Sequence, residues 1–433
     1  MDYAASLEYL HALGWELRAG AKFELRQVAA LLAELGDPQR AFAAVHVAGT
    51  NGKGSVAALL AAALQAAGYR TGLYTSPHLQ RPTERIRIAG EEIAPAEFAA
   101  AMTAAAAATE RLLARGTLPH PPSFFETLTA AGFWALRAAA VQLAVVEVGM
   151  GGRLDATNVL QPVAAAITPV GLDHEKYLGA TLAAIAGEKA GILKPGLAAV
   201  SSPQTPEAAA VLAARAQAAG ARLLPPAEML GAPVMDAEGR FEFQARYRGE
   251  AVRLRPGLRG RHQVENALTA LRVLEVLSDR GWPVAAEAAA GFADVAWPGR
   301  LEKLAAHPDV YVDGAHNPAA ARALAAFLDE IGWRPVLVFG AMRDKASGEI
   351  AEILLPRARA VVLTAPGHPR ALSPSALAAQ FGAAEQVETA ADLPRAVARA
   401  RELATAAAAP VLVTGSLYLV GEARALLAGD GRG

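Results

Sequence analysis

His46-Val47-Ala48-Gly49-Thr50-Asn51-Gly52-Lys53-Gly54-Ser55 closes a run of small and β-branched residues and opens an alanine- and leucine-rich stretch. A strand, a glycine-rich turn and a helix in that order make a phosphate loop. Gly49, Gly52 and Gly54 let the backbone turn tightly and approach a polyphosphate closely. Backbone N–H groups and the positive end of the helix favour the anion. Lys53 can reach the terminal phosphates, and Ser55 starts the helix, where it can cap it or touch a metal. The match to G-x-x-x-x-G-K-[ST] is incomplete: Val47 stands in place of the first glycine, and Gly54 follows the lysine. The plain alternative is a turn that binds nothing; the order of strand, loop, lysine and helix weighs against it.

Outward from this loop, short β-branched runs alternate with long helical patterns, the signature of a parallel α/β fold. Strands are predicted at 43–47, 143–148, 164–168, 310–312, 336–339, 360–363 and 411–414. Helices are predicted at 54–67 and 318–331. Residues 226–258 differ: FEFQARYRGEAVRLRP alternates in polarity and predicts a β-hairpin or small meander. Pro and Gly punctuate the chain at Trp297-Pro298-Gly299, where a new strand–helix alternation begins. The domains are therefore expected over 1–295 and 296–433.

A chain of 433 residues exceeds one ordinary core. Lys and Arg number 41 and Asp and Glu 42, so no global basic field would hold nucleic acid or an anionic membrane. Cysteine is absent, which removes disulfides, thiolate metal sites and thiol nucleophiles, and fits a cytoplasmic protein. The start, MDYAASLEYL, lacks the basic and apolar regions of a signal peptide, and no uncharged apolar run reaches spanning length. No heptad seam stands out, so a monomer is expected.

Glu147 ends an apolar strand before Gly149-Met150-Gly151-Gly152. A carboxylate there points into the crevice where α/β folds bind ligands, and beside a nucleotide it would hold Mg²⁺. By itself it is more often a structural or solvated acid. His174 lies just past another strand end; Mg²⁺ prefers oxygen, so Asp173 is the chemist's first guess as a ligand and His174 reads equally well as a loop histidine. Lys189 reads from spacing alone as a surface lysine on a helix.

Eleven blocks stand in one order: HVAGTNGKGS, YTSPHLQRPTERIRI, FFETLTAAGF, EVGMGGRLDATNV, ITPVGLDHEKYLG, IAGEKAGILK, GRHQVENALTA, WPGRLE, VDGAHNP, FGAMRDK and TGSLYLVGEAR. With them the chain resembles, over essentially its whole length, the folylpolyglutamate synthase/dihydrofolate synthase family of the Mur-ligase-like superfamily. The resemblance implies a P-loop-type, mostly parallel N-terminal ATPase domain and a smaller Rossmann-like α/β C-terminal domain. It implies that Thr50, Asn51, Gly52 and Lys53 contact ATP phosphates, and that Ser76, Glu147 and His174 ligate Mg²⁺. Lys189 would be carbamylated, which turns a cation into a carboxylate. Asn266, Arg300 and Asp313 would complete the ATP site, with Arg300 suited to phosphate and Asp313 to a ribose hydroxyl pair. His316 and Ser416 would serve the incoming amino acid. Ser123, Phe124, Phe125 and Glu126 with Leu154, Asp155 and Ala156 would line the pterin site, the two rings stacking on the heterocycle unless they are core. The early loop over 20–26 departs from the family's G-L-E-R-like run.

The implied reaction joins L-glutamate to dihydropteroate or to the glutamate tail of a folate, at the expense of ATP, with Lys53, Lys189 and His316 in the chemistry. A Mur ligase acting on a UDP-linked peptide would need a UDP-binding domain, and only about 45 residues precede the loop. An inert nucleotide-binding scaffold could lose Glu147, His174 and Lys189, yet all three are present.

Overall fold

The computed structural model describes residues 1–14, 24–381 and 386–430. The part of the early loop over 20–23 lies outside them. The first sheet holds eight strands: β1 (Ala43–Ala48), β2 (Thr71–Tyr74), β3 (Ile86–Ile88), β4 (Glu91–Glu92), β5 (Leu143–Glu147), β6 (Ala164–Ile167), β7 (Ala198–Ser201) and β8 (Arg222–Leu224). Their spatial order is β4-β3-β2-β5-β1-β6-β7-β8, and only the pairs that involve β3 are antiparallel. A separate antiparallel meander follows, β9 (Met229–Met235), β10 (Phe241–Tyr247) and β11 (Glu250–Leu254). The last sheet contains β12 (Glu302–Ala305), β13 (Val310–Val312), β14 (Val336–Phe339), β15 (Ala360–Leu363), β16 (Val387–Thr389) and β17 (Val411–Thr414), in the order β12-β13-β17-β14-β15-β16. It is parallel apart from β12 on β13.

The central strands are buried on both faces, which is why β1, β5 and β17 read as near-continuous apolar runs rather than alternations. One face of the first sheet packs Val45, Val47 and Val145 against the helices Lys53–Ala66 and His262–Asp279. The other packs Ala44, Val146 and Tyr74 against Phe133 and Leu136 of the helix Phe124–Ala138. The meander alternates as its pattern predicts, with Phe241, Phe243, Ala245 and Tyr247 inward. The strands β2, β3, β4 and β8, not predicted, read TGLY, IRI, EE and RLL, so glycine or charge interrupts them and no continuous β-branched run marks them.

Along the chain the meander, the helix His262–Asp279 and the 3₁₀ segment Ala286–Asp294 lie between the first sheet and the last. In the first sheet β1 lies between β5 and β6, so connections leave it in opposite directions and open a crevice at the strands' carboxyl ends. The carboxyl end of β13 in the last sheet faces the same crevice. Among the described residues no helix is long and apolar enough to cross a membrane.

Candidate active site

The crevice encloses about 1080 Å³. Every site residue proposed from the sequence lines it except Phe124. Neighbouring positions on a helix point about 100° apart. Phe124 is thereby turned into the core, its ring under the Arg85 guanidinium, while Phe125 faces the cleft. The expectation that both rings line the site is corrected: Phe124 does not. Ser123 and Glu126 form a capping box: the Ser123 Oγ and backbone N–H both donate to Glu126, at 2.6 and 2.8 Å, and the Glu126 N–H returns to Ser123 Oγ.

The phosphate loop is held from three sides. The N–H groups of Thr50 and Asn51 donate to the Pro169 carbonyl, at 3.0 and 3.3 Å. That leaves the first turn of the helix Lys53–Ala66, rather than the whole loop, to meet an anion. Gly52 has φ +88°, and a Cβ there would lie 2.6 Å from Asn266 Oδ1, so the helix His262–Asp279 sits directly on the loop. A Cβ on Gly54 would lie 2.8 Å from Trp297 Nε1. The departure from the usual lysine–serine pair thus has a packing cause: the indole of the interdomain segment occupies the space. Lys53 Nζ donates to the Thr50 carbonyl at 3.2 Å and lies 4.0 Å from Glu147.

Glu147, at the end of β5, is buried, and its Oε2 accepts from the Ser76 N–H at 3.2 Å. Burial pushes its carboxyl up, and Lys53 opposes this only in part. A buried carboxylate so incompletely compensated favours a further cation. Among the described residues no three His, Cys, Asp or Glu groups converge as a metal cage. Mg²⁺ is ordinarily held by one or two protein groups with phosphate oxygens and water, and Glu147 with the Ser76 hydroxyl fits that set. His174 has φ +52° and starts the short helix Glu175–Leu178. Burial lowers its pKa to about 4 despite the adjacent Asp173, so the imidazole is neutral and able to ligate.

Lys189 ends the helix Leu182–Lys189, buried, with Nζ 2.7 Å from the Gly49 carbonyl. It is no surface lysine. Burial, then repulsion from Lys53, lowers its pKa to about 7. A large fraction is therefore the neutral amine that carbon dioxide requires.

From the last sheet, Asp313 follows β13; its oxygens accept from the N–H groups of Leu301 and Ala315, at 3.0 and 2.9 Å. Burial raises its carboxyl, opposed by Arg300. His316 donates from Nδ1 to the Gly314 carbonyl at 2.7 Å, and its Nε2 is 3.5 Å from Asp173. Ser416, after β17, accepts from the Tyr418 N–H at 3.2 Å. Asn266 donates to Gln263 at 2.9 Å.

The sequence reading gave Asp173, Asn317 and Lys345 no part in joining the two domains. Asp173, weighed there only as a metal ligand, is a cross-domain hub: Lys345 donates to it, Asn317 Nδ2 lies at 3.1 Å, and His316 beside it. Burial would raise its carboxyl, but His316 and Lys345 hold it well below the usual carboxylate range. Asn317 also exchanges two amide hydrogen bonds with Asn51 of the phosphate loop, at 3.0 and 3.1 Å. The FGAMRDK block carries Lys345, yet spacing alone does not separate it from a surface lysine.

Residues 47–274 match the Mur ligase middle domain, and residues 299–417 match the glutamate ligase domain of Mur ligases. The dihydrofolate synthase/folylpolyglutamate synthase of Mycobacterium tuberculosis is 39% identical, the alignment covering 94% of this chain and 90% of that protein. The folylpolyglutamate synthase of Lacticaseibacillus casei is 36% identical over 99% of both chains. The structure of the M. tuberculosis folylpolyglutamate synthase complexed with ADP superposes with a TM-score of 0.91, at 39% identity, over 98% of this chain and 99% of that one.

Proposed function

The chain belongs to the folylpolyglutamate synthase/dihydrofolate synthase family of Mur ligases, and from the geometry of its cleft we propose that it joins L-glutamate to dihydropteroate and to the glutamate tail of folates, consuming ATP. One observation carries this: a single cleft brings the phosphate loop, Glu147 and Lys189 of one domain together with Asp313, His316 and Ser416 of the other, beside an acceptor wall of Phe125 and Leu154.

A carboxylate is a poor electrophile, so it must first gain a leaving group. The acceptor's carboxylate oxygen attacks the γ-phosphorus of ATP, and ADP leaves. The glutamate amine then attacks the acyl carbon, and phosphate leaves with the former carboxylate oxygen. The chain's contribution is positioning and charge neutralisation. Lys53 would offset charge on the transferred group, and the first turn of its helix would offer N–H donors. Glu147, Ser76 and His174 would hold Mg²⁺, which supplies Lewis-acid stabilisation of the phosphoryl oxygens. Lys189, carbamylated, would add a carboxylate beside them. Asp313 would take the ribose hydroxyls through its remaining lone pairs, with Arg300 and Asn266 completing the nucleotide site. His316 and Ser416 would hold the amino acid. Both ring nitrogens of His316 face oxygen acceptors, so taking a proton from the amine would require its release from Asp173. We read the enzyme as monomeric and cytoplasmic.

The test is phosphate release from Mg-ATP with glutamate and either dihydropteroate or tetrahydrofolate. Release with both supports the bifunctional assignment, and release with tetrahydrofolate alone restricts it to tail extension. No release from protein that binds ATP sinks the folate assignment.

A further inference from the structure

His46 stands first in the phosphate-loop block and has no part in the chemistry above. It is fully buried on β1, where the face beneath it meets the 3₁₀ segment Ala156–Val159. Its Nε2 lies 2.8 Å from Thr157 Oγ1, and its Nδ1 is buried without a partner. Thr157 Oγ1 donates its single proton to Asp155 Oδ1, so it must accept from His46. That sets the tautomer: the proton is on Nε2, and Nδ1 is the bare nitrogen, which is less costly to leave unpaired in the interior than an N–H. Burial, then Lys194, lowers the His46 pKa to about 3, so the ring is neutral and supplies that one proton.

The Asp155 carboxylate is as fully engaged. Its Oδ1 also accepts the Thr157 N–H at 3.0 Å, and Oδ2 accepts the Met150 N–H at 2.8 Å, with the Gly149 N–H contributing. A carboxylate has about four lone-pair positions, and these donors use them. Asp155 lines the cleft, and its carboxylate ties the two ends of the 149–157 loop together there. Gly149 approaches the Phe125 ring so closely that a Cβ would lie 2.4 Å from it. The loop thus packs directly under Phe125, the ring assigned above to the acceptor wall.

We propose that His46 is a positioning residue for the acceptor site, acting through a buried His46–Thr157–Asp155 relay that sets the 149–157 loop. The assignment of that wall to the pteroate-type acceptor rests on the function proposed above; the relay itself does not.

The experiment uses the full chain with two readouts, KM for each substrate in phosphate release and hydrogen exchange at the Met150 and Thr157 amides. The variants are His46→Leu, His46→Gln, Thr157→Val and Thr157→Ser. Gln can place its Nε2 donor near that of histidine, and Ser keeps the hydroxyl. His46→Leu and Thr157→Val should each raise the acceptor KM and the exchange rate about tenfold, the scale of one lost buried hydrogen bond. KM for ATP should stay put, Gln and Ser should stay near wild type, and His46→Leu with Thr157→Val together should be no worse than either alone. Unchanged exchange, ATP and acceptor KM rising together, or additive losses would overturn the relay. If His46→Leu does not fold, the contrast between Thr157→Val and Thr157→Ser decides. A wild type that turns over neither acceptor, with exchange responding as expected, would sink the folate assignment and leave the relay standing.

Discussion

Lys53 and Lys189 are two cations forced close together, and their fates differ. Lys53 keeps a carboxylate in reach, so Lys53→Ala should cut acceptor-dependent phosphate release by about a hundredfold or more, the cost of removing one preorganised stabiliser of transferred charge. Steady-state assay at saturating ATP checks this. Lys189 Nζ donates to the Gly49 carbonyl rather than to a carboxylate, and its pKa of about 7 stands below the 10.5 of an exposed lysine. The folded state thus binds fewer protons between those values, and stability should rise with pH from about 7 to about 10.5. In Lys189→Met that part of the slope should vanish, as read from thermal melts in carbon-dioxide-free buffer at pH 7 and 9. If the neutral amine is carbamylated, wild-type activity should fall in that buffer and return with bicarbonate; activity indifferent to bicarbonate would remove the carbamate.

Two helix starts show how a motif serves packing as well as chemistry. In the helix Phe124–Ala138 the capping box occupies Ser123 and Glu126, so Ser123→Ala should lower the unfolding free energy by about 1 kcal/mol in urea melts. In the helix Lys53–Ala66 the second residue is glycine because an indole lies on it. Gly54→Ala should cost about 1–3 kcal/mol, and less on a Trp297→Phe background, since the clash is with that ring. A full cost in both backgrounds would show that the loop's own backbone, not Trp297, demands the glycine.

Across the whole molecule, Asp173 is the point where the two sheets' loops meet. It receives Lys345, His316 and Asn317, and Asn317 also holds Asn51. Asp173→Asn would leave Lys345 half-paired in a largely buried setting, at a cost of about 3 kcal/mol. Limited proteolysis near residues 296–300 should accelerate, and KM for glutamate and ATP should rise together. Proteolysis and both KM values at wild-type levels would mean the domains are held elsewhere.

The α/β class, the strands at 310–312, 336–339, 360–363 and 411–414, and the helix at 318–331 were legible in the chain, because parallel strands buried on both faces stand out as continuous β-branched runs and an amphipathic helix repeats over several turns. The phosphate loop was legible too, since its chemistry needs glycines and a lysine at short, local spacing. The resemblance carried Lys189, His174 and Asp313, which no local pattern singles out. The burial that leaves Lys189 near neutrality, the indole that demands Gly54, and the turning of Phe124 into the core depended on neighbours far away along the chain. So did the meeting of Asp173 with Lys345 and the relay from His46 to Asp155. These are consequences of which surfaces come together when two sheets face one cleft. Desolvation and steric exclusion act between residues that no sequence window contains, so only the tertiary structure decided them.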